Sequence, residues 1–560
     1  MRFKTILLCF LTAMGNTNAQ EYDFKKSLDS ISKKIDDICA HWKVGPGGVV
    51  GIVQDGEIVF SRAYGKASLE HDVPITEKTV FNIASVSKQF TAFSLVLLEE
   101  QGRLDLDDDI RKHLPEIPDF GEPITIRHLL THTSGLRNFQ DILAMAGWRG
   151  GDAMRREDVL RFVTQQKELN FSPGTLGLYC NTGFILATYI VERVTGMPFD
   201  QWTKENLFEP LGMKNTEFRE DMEMVMRNTA KSYDRENDGT YKKRFEYYNY
   251  MGNGNLYSTL GDLAKWIANF GDKKLGGAST IEKLTQQHVM KKGDTLHYGL
   301  GIGNKEHRGL ANWSHGGSVG GYRATFSYYP DTDTGFIALS NSSRGNPIGV
   351  VNPLIDLYLG DLMEPKPKNE PRYPHLKNEV SIKKKSFQLV AGHYRLEKTS
   401  VELYESNGKY YMQSEKKYPK IELLAASDTT FFVRDRPISI YIDPGSGLID
   451  RHIVINDDGH IQHGKKYDPE LSKEEHLEQY VGSYYSPELW TTYNFSLKDG
   501  KLKGDDARQP EFDIVPYTED YLIANGFFFN EVKVIRSDKG AVEGIRVSSN
   551  RAKNVLFTKQ

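Results

Sequence analysis

The chain has 560 residues, 39% hydrophobic and 26% charged, so it is neither fibrous nor intrinsically disordered and has room for about three or four domains. Its 71 basic and 75 acidic residues leave a formal charge of −4, which gives no global electrostatic footprint for nucleic acid. The only cysteines, Cys9, Cys39 and Cys180, exclude a disulfide framework and a four-cysteine metal cage.

Residues 1–19 read as a cleavable signal peptide. Arg2 and Lys4 precede an apolar run from Ile6 to Met14, and Thr17 and Ala19 place small residues at −3 and −1 of a cleavage site after Ala19. That run is too short to span a bilayer as a helix, and no other stretch approaches about 18 consecutive apolar residues. The sequence therefore predicts a secreted or periplasmic protein with no membrane span. Cys9 leaves with the signal, and Cys39 and Cys180 are expected to stay unpaired.

Residues 20–363 mix short strands with strongly periodic helices. Val49–Val53 and Ile58–Tyr64 flank Asp55-Gly56, a hairpin turn signal. Ser85–Gln101 is apolar nearly all round and stops at Gly102, the pattern of a buried helix. Asp107 is expected to cap a helix over Ile110–Leu114. A further helix over Phe184–Val194 ends at Gly196, and Thr259-x-x-Asp262 reads as a capping box opening a helix to Gly271. Ala324–Tyr329 and Gly335–Ser340 are strands joined through Pro330-Asp331-Thr332-Asp333. Strands at both ends with helices between predict an α+β domain, its helices packed on an antiparallel sheet.

Residues 364–384 form a proline-rich, extended linker. Two all-β blocks follow, 385–468 and 469–560. Val390-Ala391-Gly392-His393-Tyr394 echoes Tyr480-Val481-Gly482-Ser483-Tyr484, and Asn407-Gly408-Lys409 echoes Asp499-Gly500-Lys501, each at an offset of about 90 residues. Short aromatic strands with regular turns predict one small antiparallel barrel per block. A helix over Lys473–Gln479 is expected to open the second.

Three elements carry chemistry. Ser85-x-x-Lys88 puts an ammonium one helical turn from a serine hydroxyl, at a helix N-terminus whose partial charge favours a developing oxyanion. A serine needs such a neighbour, because it is a poor nucleophile at neutral pH. Tyr179-Cys180-Asn181 offers a phenol that acts as a base only if a cation such as Lys88 depresses its pKa, and an amide for a substrate carbonyl and for Lys88. His315-Gly316-Gly317-Ser318 offers glycines at a strand edge, with a Ser318 N–H to complete an oxyanion hole with that of Ser85.

In order and spacing, Ser85-x-x-Lys88, Tyr179-x-Asn181 and His315-x-Gly317 resemble the serine hydrolases of the class C β-lactamase, penicillin-binding protein and D-aminopeptidase superfamily. Leu129-Leu130-Thr131-His132-Thr133-Ser134-Gly135-Leu136 and Ser172-Pro173-Gly174 support the resemblance, which covers roughly residues 30–360. It implies Ser85 as acylated nucleophile, Lys88 and Tyr179 as proton-transfer partners, and Asn181 as a substrate contact. It also implies a cleft between a helical half and an α/β half, with barrels like those of the D-aminopeptidase branch and a barrel loop reaching that cleft.

The resemblance implies an exported hydrolase of D-amino-acid peptides, cell-wall fragments or small esters, with no cofactor. The alternative is a catalytically weak wall- or ligand-binding scaffold. β-Lactam hydrolysis is disfavoured because His315-Gly316-Gly317 stands where such β-lactamases carry Lys-Thr-Gly, and an ordinary histidine is mostly neutral at pH 7. His128 and His132 have the spacing of a zinc pair, but no Glu follows His128, and Asp105–Asp109 fits a helix cap better than a calcium site. No metal is expected. Asn312-Trp313-Ser314 is a glycosylation sequon beside the third motif. Gly252-Asn253-Gly254 reads as a loop near the cleft. The sequence sets no oligomeric state.

Overall fold

Alternation decides how the first domain is layered. The computed structural model describes residues 24–366, 374, 376–396, 399–414, 418–443 and 452–560, so the expected signal peptide lies outside the described residues. Strands β1 (Gly48–Gln54) and β2 (Glu57–Tyr64) pair antiparallel across Asp55-Gly56, as the turn residues require. With β3 (Gly303–His307), β4 (Leu310–Val319), β5 (Tyr322–Tyr329) and β6 (Thr334–Ser340) they form a six-stranded sheet in the order β3-β4-β5-β6-β1-β2. On β1 and β6, Val50, Ile52, Phe336 and Ala338 point to one face, packing with α1 (Phe24–Ile38) and α5 (Pro347–Leu359). Val49, Val53, Ile337 and Leu339 point to the other face and join the main core, with α2 (Lys88–Glu100), α3 (Asn181–Thr195) and α4 (Leu260–Asp272). Both faces are covered, so both residue sets are apolar. The α+β expectation is met.

Local signals shift in three places. The helix expected from Ser85 starts as a 3₁₀ turn over Ala84–Ser87 before α2 begins at Lys88. Asp109, not Asp107, caps the short turn Ile110–Lys112, accepting from Arg111 N at 2.9 Å, while Asp107 is paired with Arg127. Thr259 accepts from Asp262 N as a cap should, but the Asp262 carboxylate does not return the bond; it takes Asn215 N and Thr216 Oγ1 at 2.6 and 3.0 Å. A short Asp side chain is better placed for those neighbours than for its own N-cap.

The two C-terminal blocks are closed eight-stranded antiparallel barrels, over Gly392–Tyr467 and Gly482–Lys559. Their sequence echo is structural. Tyr394 and Tyr484 are fully buried, and each hydroxyl donates to the carbonyl four residues back, to Val390 at 2.6 Å and Tyr480 at 2.7 Å. Gly392 and Gly482, with φ of 128° and 146°, open each barrel in a region closed to other residues. Lys384–Val390 is helical, and the expected helix before the second barrel is short, Glu474–Leu477 followed by a 3₁₀ turn.

The barrels differ in how they are held. The first has its own apolar core, whereas the core of the second is continuous with the main core of the first domain. Tyr493 of the second barrel donates to Met145 O at 3.1 Å, and Arg137 reaches Glu488 at 2.5 Å with both side chains buried. Among the described residues no helix is long and apolar enough to cross a membrane.

Candidate active site

The segment that carries Ser85 is strained and tightly held. Ala84, just before Ser85, has a φ of 48°, and its N–H donates to Asn82 Oδ1 at 2.9 Å. Strand β4 presses against this segment at Gly317, where a Cβ would lie 2.3 Å from Ile83 O. Only glycine lets the β4 edge come this close, and this approach brings Ser85 and Ser318 to line one cleft of about 640 Å³.

Lys88 is completely buried, 3.1 Å from Ser85 Oγ, and donates to Asn253 O at 2.7 Å. The Gly252-Asn253-Gly254 loop thus lies at the site, as its composition predicts. Burial, reinforced by the charge of Arg551, holds the Lys88 amine well below the usual lysine range. Tyr179 lines the same cleft as Ser85, and its ring lies 4.8 Å from Lys88 Nζ. Its phenol is pushed up to about 12 by burial, against the opposing pull of the nearby Ser85 hydroxyl and the Arg551 charge. A Lys88 cation lowering the Tyr179 pKa is therefore not what this site contains: desolvation moves both groups toward their neutral forms.

Asn181 opens α3 and lines the cleft, but its Nδ2 donates to Gln140 Oε1 at 2.7 Å and its backbone N–H to Asn138 Oδ1 at 2.9 Å. Its buried Oδ1 has no partner among the described residues. Asn181 therefore presents an acceptor to the cleft and makes no hydrogen bond to Lys88, unlike the donor role its sequence position implies.

His315 is locked neutral. Nδ1 bonds Gly316 O at 2.7 Å, which requires N–H there, so Nε2 accepts from Tyr298 OH at 2.9 Å. Burial, helped by nearby Lys88, lowers its pKa to about 4. Gly317 and Ser318 line the cleft beside Ser85 on β4.

The structure gives several of the residues named from the sequence surroundings that spacing alone does not display. His132 lies beyond the end of the helix Ile126–Leu130 at a φ of 61°, so it does not share a helical face with His128. Its Nδ1 accepts from Cys180 N at 3.1 Å and its ring packs 4.2 Å from that of Tyr179, so it props the phenol. His128 instead accepts from Thr125 N at 3.1 Å. Cys39 and Cys180 are both free and buried, as expected. Asn312 of the sequon is buried and donates to Ser327 Oγ at 2.7 Å, which leaves no room for a glycan in the folded chain.

The least foreseeable residue is Arg551, carried by a loop of the second barrel and lining the same cleft as Ser85. Its backbone N–H donates to Asp141 Oδ1 at 3.1 Å and its carbonyl accepts from Asn138 N at 3.0 Å. The expected barrel loop at the cleft is present, and it brings a charge.

The Beta-lactamase family model matches residues 36–359. Penicillin-binding protein 4* of Bacillus subtilis (strain 168) is 26% identical over 433 residues, covering 73% of this chain and 93% of that protein. A D-aminopeptidase of Cereibacter sphaeroides (strain ATCC 17029 / ATH 2.4.9) is 28% identical over 316 residues, 56% of this chain; the match spans 60% of that protein's own length. The structure of an octameric penicillin-binding protein homologue from Pyrococcus abyssi superposes with a TM-score of 0.54 at 24% identity, covering 79% of this chain and 100% of that one, a likeness of fold.

Proposed function

The chain belongs to the β-lactamase family of serine hydrolases, and we propose that it is an exported enzyme working through an acyl-enzyme on Ser85. Its substrates on this reading are D-amino-acid peptides or cell-wall-derived fragments cleaved at an amide bond, or small esters. The N-terminal segment supports export, and the D-aminopeptidase and penicillin-binding protein relatives support the substrate class. Membership in a family of hydrolases sets the scaffold alternative aside.

The observation that carries the mechanism is the 3.1 Å approach of a buried, readily neutral lysine to Ser85 Oγ. A neutral Lys88 takes the Ser85 proton as Oγ adds to the substrate carbonyl. The oxyanion is met by the Ser85 and Ser318 N–H groups. Tyr179, protonated with its pKa near 12, hands a proton to the departing amine or alkoxide and is reprotonated from Lys88. Water then attacks the acyl carbonyl by the same route in reverse, and Asn181 Oδ1 accepts a substrate N–H.

Intact-mass spectrometry after a fluorophosphonate is expected to show one adduct on Ser85, absent in Ser85→Ala. Lys88→Arg keeps a long nitrogen-bearing side chain but stays protonated and cannot serve as a neutral base, so kcat is expected to fall by about 10²–10⁴-fold. Unimpaired turnover by Ser85→Ala overturns the acyl-enzyme.

A further inference from the structure

We propose that Arg551, delivered to the cleft by the second barrel, selects substrates that carry a carboxylate beside the scissile bond. The inference rests on the Ser85 reading and narrows its substrate class.

The cleft that contains Ser85 is lined by three arginines, Arg323, Arg344 and Arg551, and by no aspartate or glutamate. Two of the three are engaged. Arg323 donates from Nη1 to the carbonyls of Gly320 and Tyr322 at 2.9 and 2.7 Å, and Arg344 donates to Asn237 Oδ1 at 3.0 Å. The Arg551 side chain makes no hydrogen bond among the described residues. Its nearest counter-charge is Asp141 Oδ2, 3.6 Å from Nε, and Asp141 already accepts from Asn138 Nδ2 at 2.6 Å, Ser549 Oγ at 2.6 Å and the Arg551 N–H at 3.1 Å.

The backbone bonds that fix the Arg551 loop make the guanidinium preorganised rather than a mobile surface cation. Its Cζ lies 6.0 Å from the Tyr179 ring centroid, in the cleft that Tyr179 and Ser85 both line. A planar fork of free N–H donors in a part-buried site fits a carboxylate in bidentate fashion. A free substrate ammonium there would meet three arginines in a cleft wall that carries no carboxylate. The positive charge that His315 fails to supply thus comes from a residue 410 positions along the chain from its Asp141 anchor.

Two matched pairs test this: mono-p-nitrophenyl glutarate against its methyl ester, and an N-acetyl D-dipeptide acid against its carboxamide. The wild type is expected to favour the acid in at least one pair. In Arg551→Gln, kcat/KM for that acid is expected to fall about tenfold to a hundredfold further than for its neutral partner, mainly through KM. Arg551→Lys is expected to restore part of the preference. A wild type that favours the neutral member of both pairs overturns the proposal, as does an Arg551→Gln enzyme that keeps the preference or loses both members of a pair equally. Calorimetric binding of the dipeptide acid and amide to Ser85→Ala, with and without Arg551→Gln, reads the same selectivity without turnover. Failure there counts against Arg551 alone, whereas an unlabelled Ser85 in the wild type counts against the acyl-enzyme alone.

Discussion

Lys88 Nζ and the Tyr179 ring sit 4.8 Å apart, and burial moves their acidities in opposite directions, one below and one above its usual range. Both changes favour the neutral form, because a desolvated charge lacks the water that would stabilise it. The same physics acts on histidine. His128 and His315, each lowered to about 4 chiefly by burial, are neutral in the folded chain at pH 5–8. Between about pH 6.5 and 4 the unfolded chain takes protons that the folded chain refuses, so the stabilisation is complete above 6.5 and is lost as pH falls through that window. Urea midpoints are expected to drop from pH 7 to pH 5, and to drop less in a His128→Gln, His315→Gln double variant. An equal drop in both proteins excludes these histidines as the cause. Because His315 stays neutral, its titration is expected to leave no step in kcat/KM between pH 5 and 8.

The Phe139–Met145 helix and the segment before it connect the second barrel to the catalytic cleft. Asn138, Gln140 and Asp141 hold Asn181 on one side and the Arg551 loop on the other. Arg137 anchors the joint: its guanidinium is 1% exposed, bonds Glu488 at 2.5 Å, and also donates to Lys553 O at 3.0 Å. Removing one partner of a buried ion pair leaves an uncompensated charge, so Glu488→Ala is expected to cost about 3–5 kcal/mol in urea unfolding. Because the joint also positions Asn181, that variant is expected to lose kcat/KM on neutral and anionic substrates alike, unlike Arg551→Gln. A stability loss below about 1 kcal/mol would place the pair among solvent-screened contacts.

At the scale of the whole molecule, the second barrel completes the enzyme rather than trailing behind it. Its apolar residues, such as Tyr493 and Phe529, belong to the same core cluster as Phe139 and Met145 of the helical half. The first barrel has a separate core and meets the second through contacts such as Tyr467 with Tyr517, ring centroids 6.0 Å apart. A chain ending at Met363 would expose that shared core and strand Arg137 without Glu488. It is expected to be aggregation-prone by size-exclusion chromatography and to have lost cooperative thermal unfolding. A soluble, cooperatively folded truncation with an unchanged substrate profile would reduce both barrels to spacers.

The amino-acid sequence by itself determined the features that depend on near neighbours along the chain. Ser85 and Lys88 meet because one turn separates them. Asp55-Gly56 makes a hairpin, and the Tyr394 and Tyr484 repeats fold alike because each tyrosine bonds a carbonyl four residues back. These are short-range geometries with periods near 3.6 and 2 residues, which sequence displays directly. Only the tertiary structure decided which groups are charged and what shares the cleft. Burial reversed the expected acidity of Tyr179, a neighbouring hydroxyl silenced His315, and Gln140 turned Asn181 around. Arg551 reached the Ser85 cleft from the far end of the chain. Desolvation and long-range contact depend on the packing of many distant side chains at once, and no local spacing encodes them.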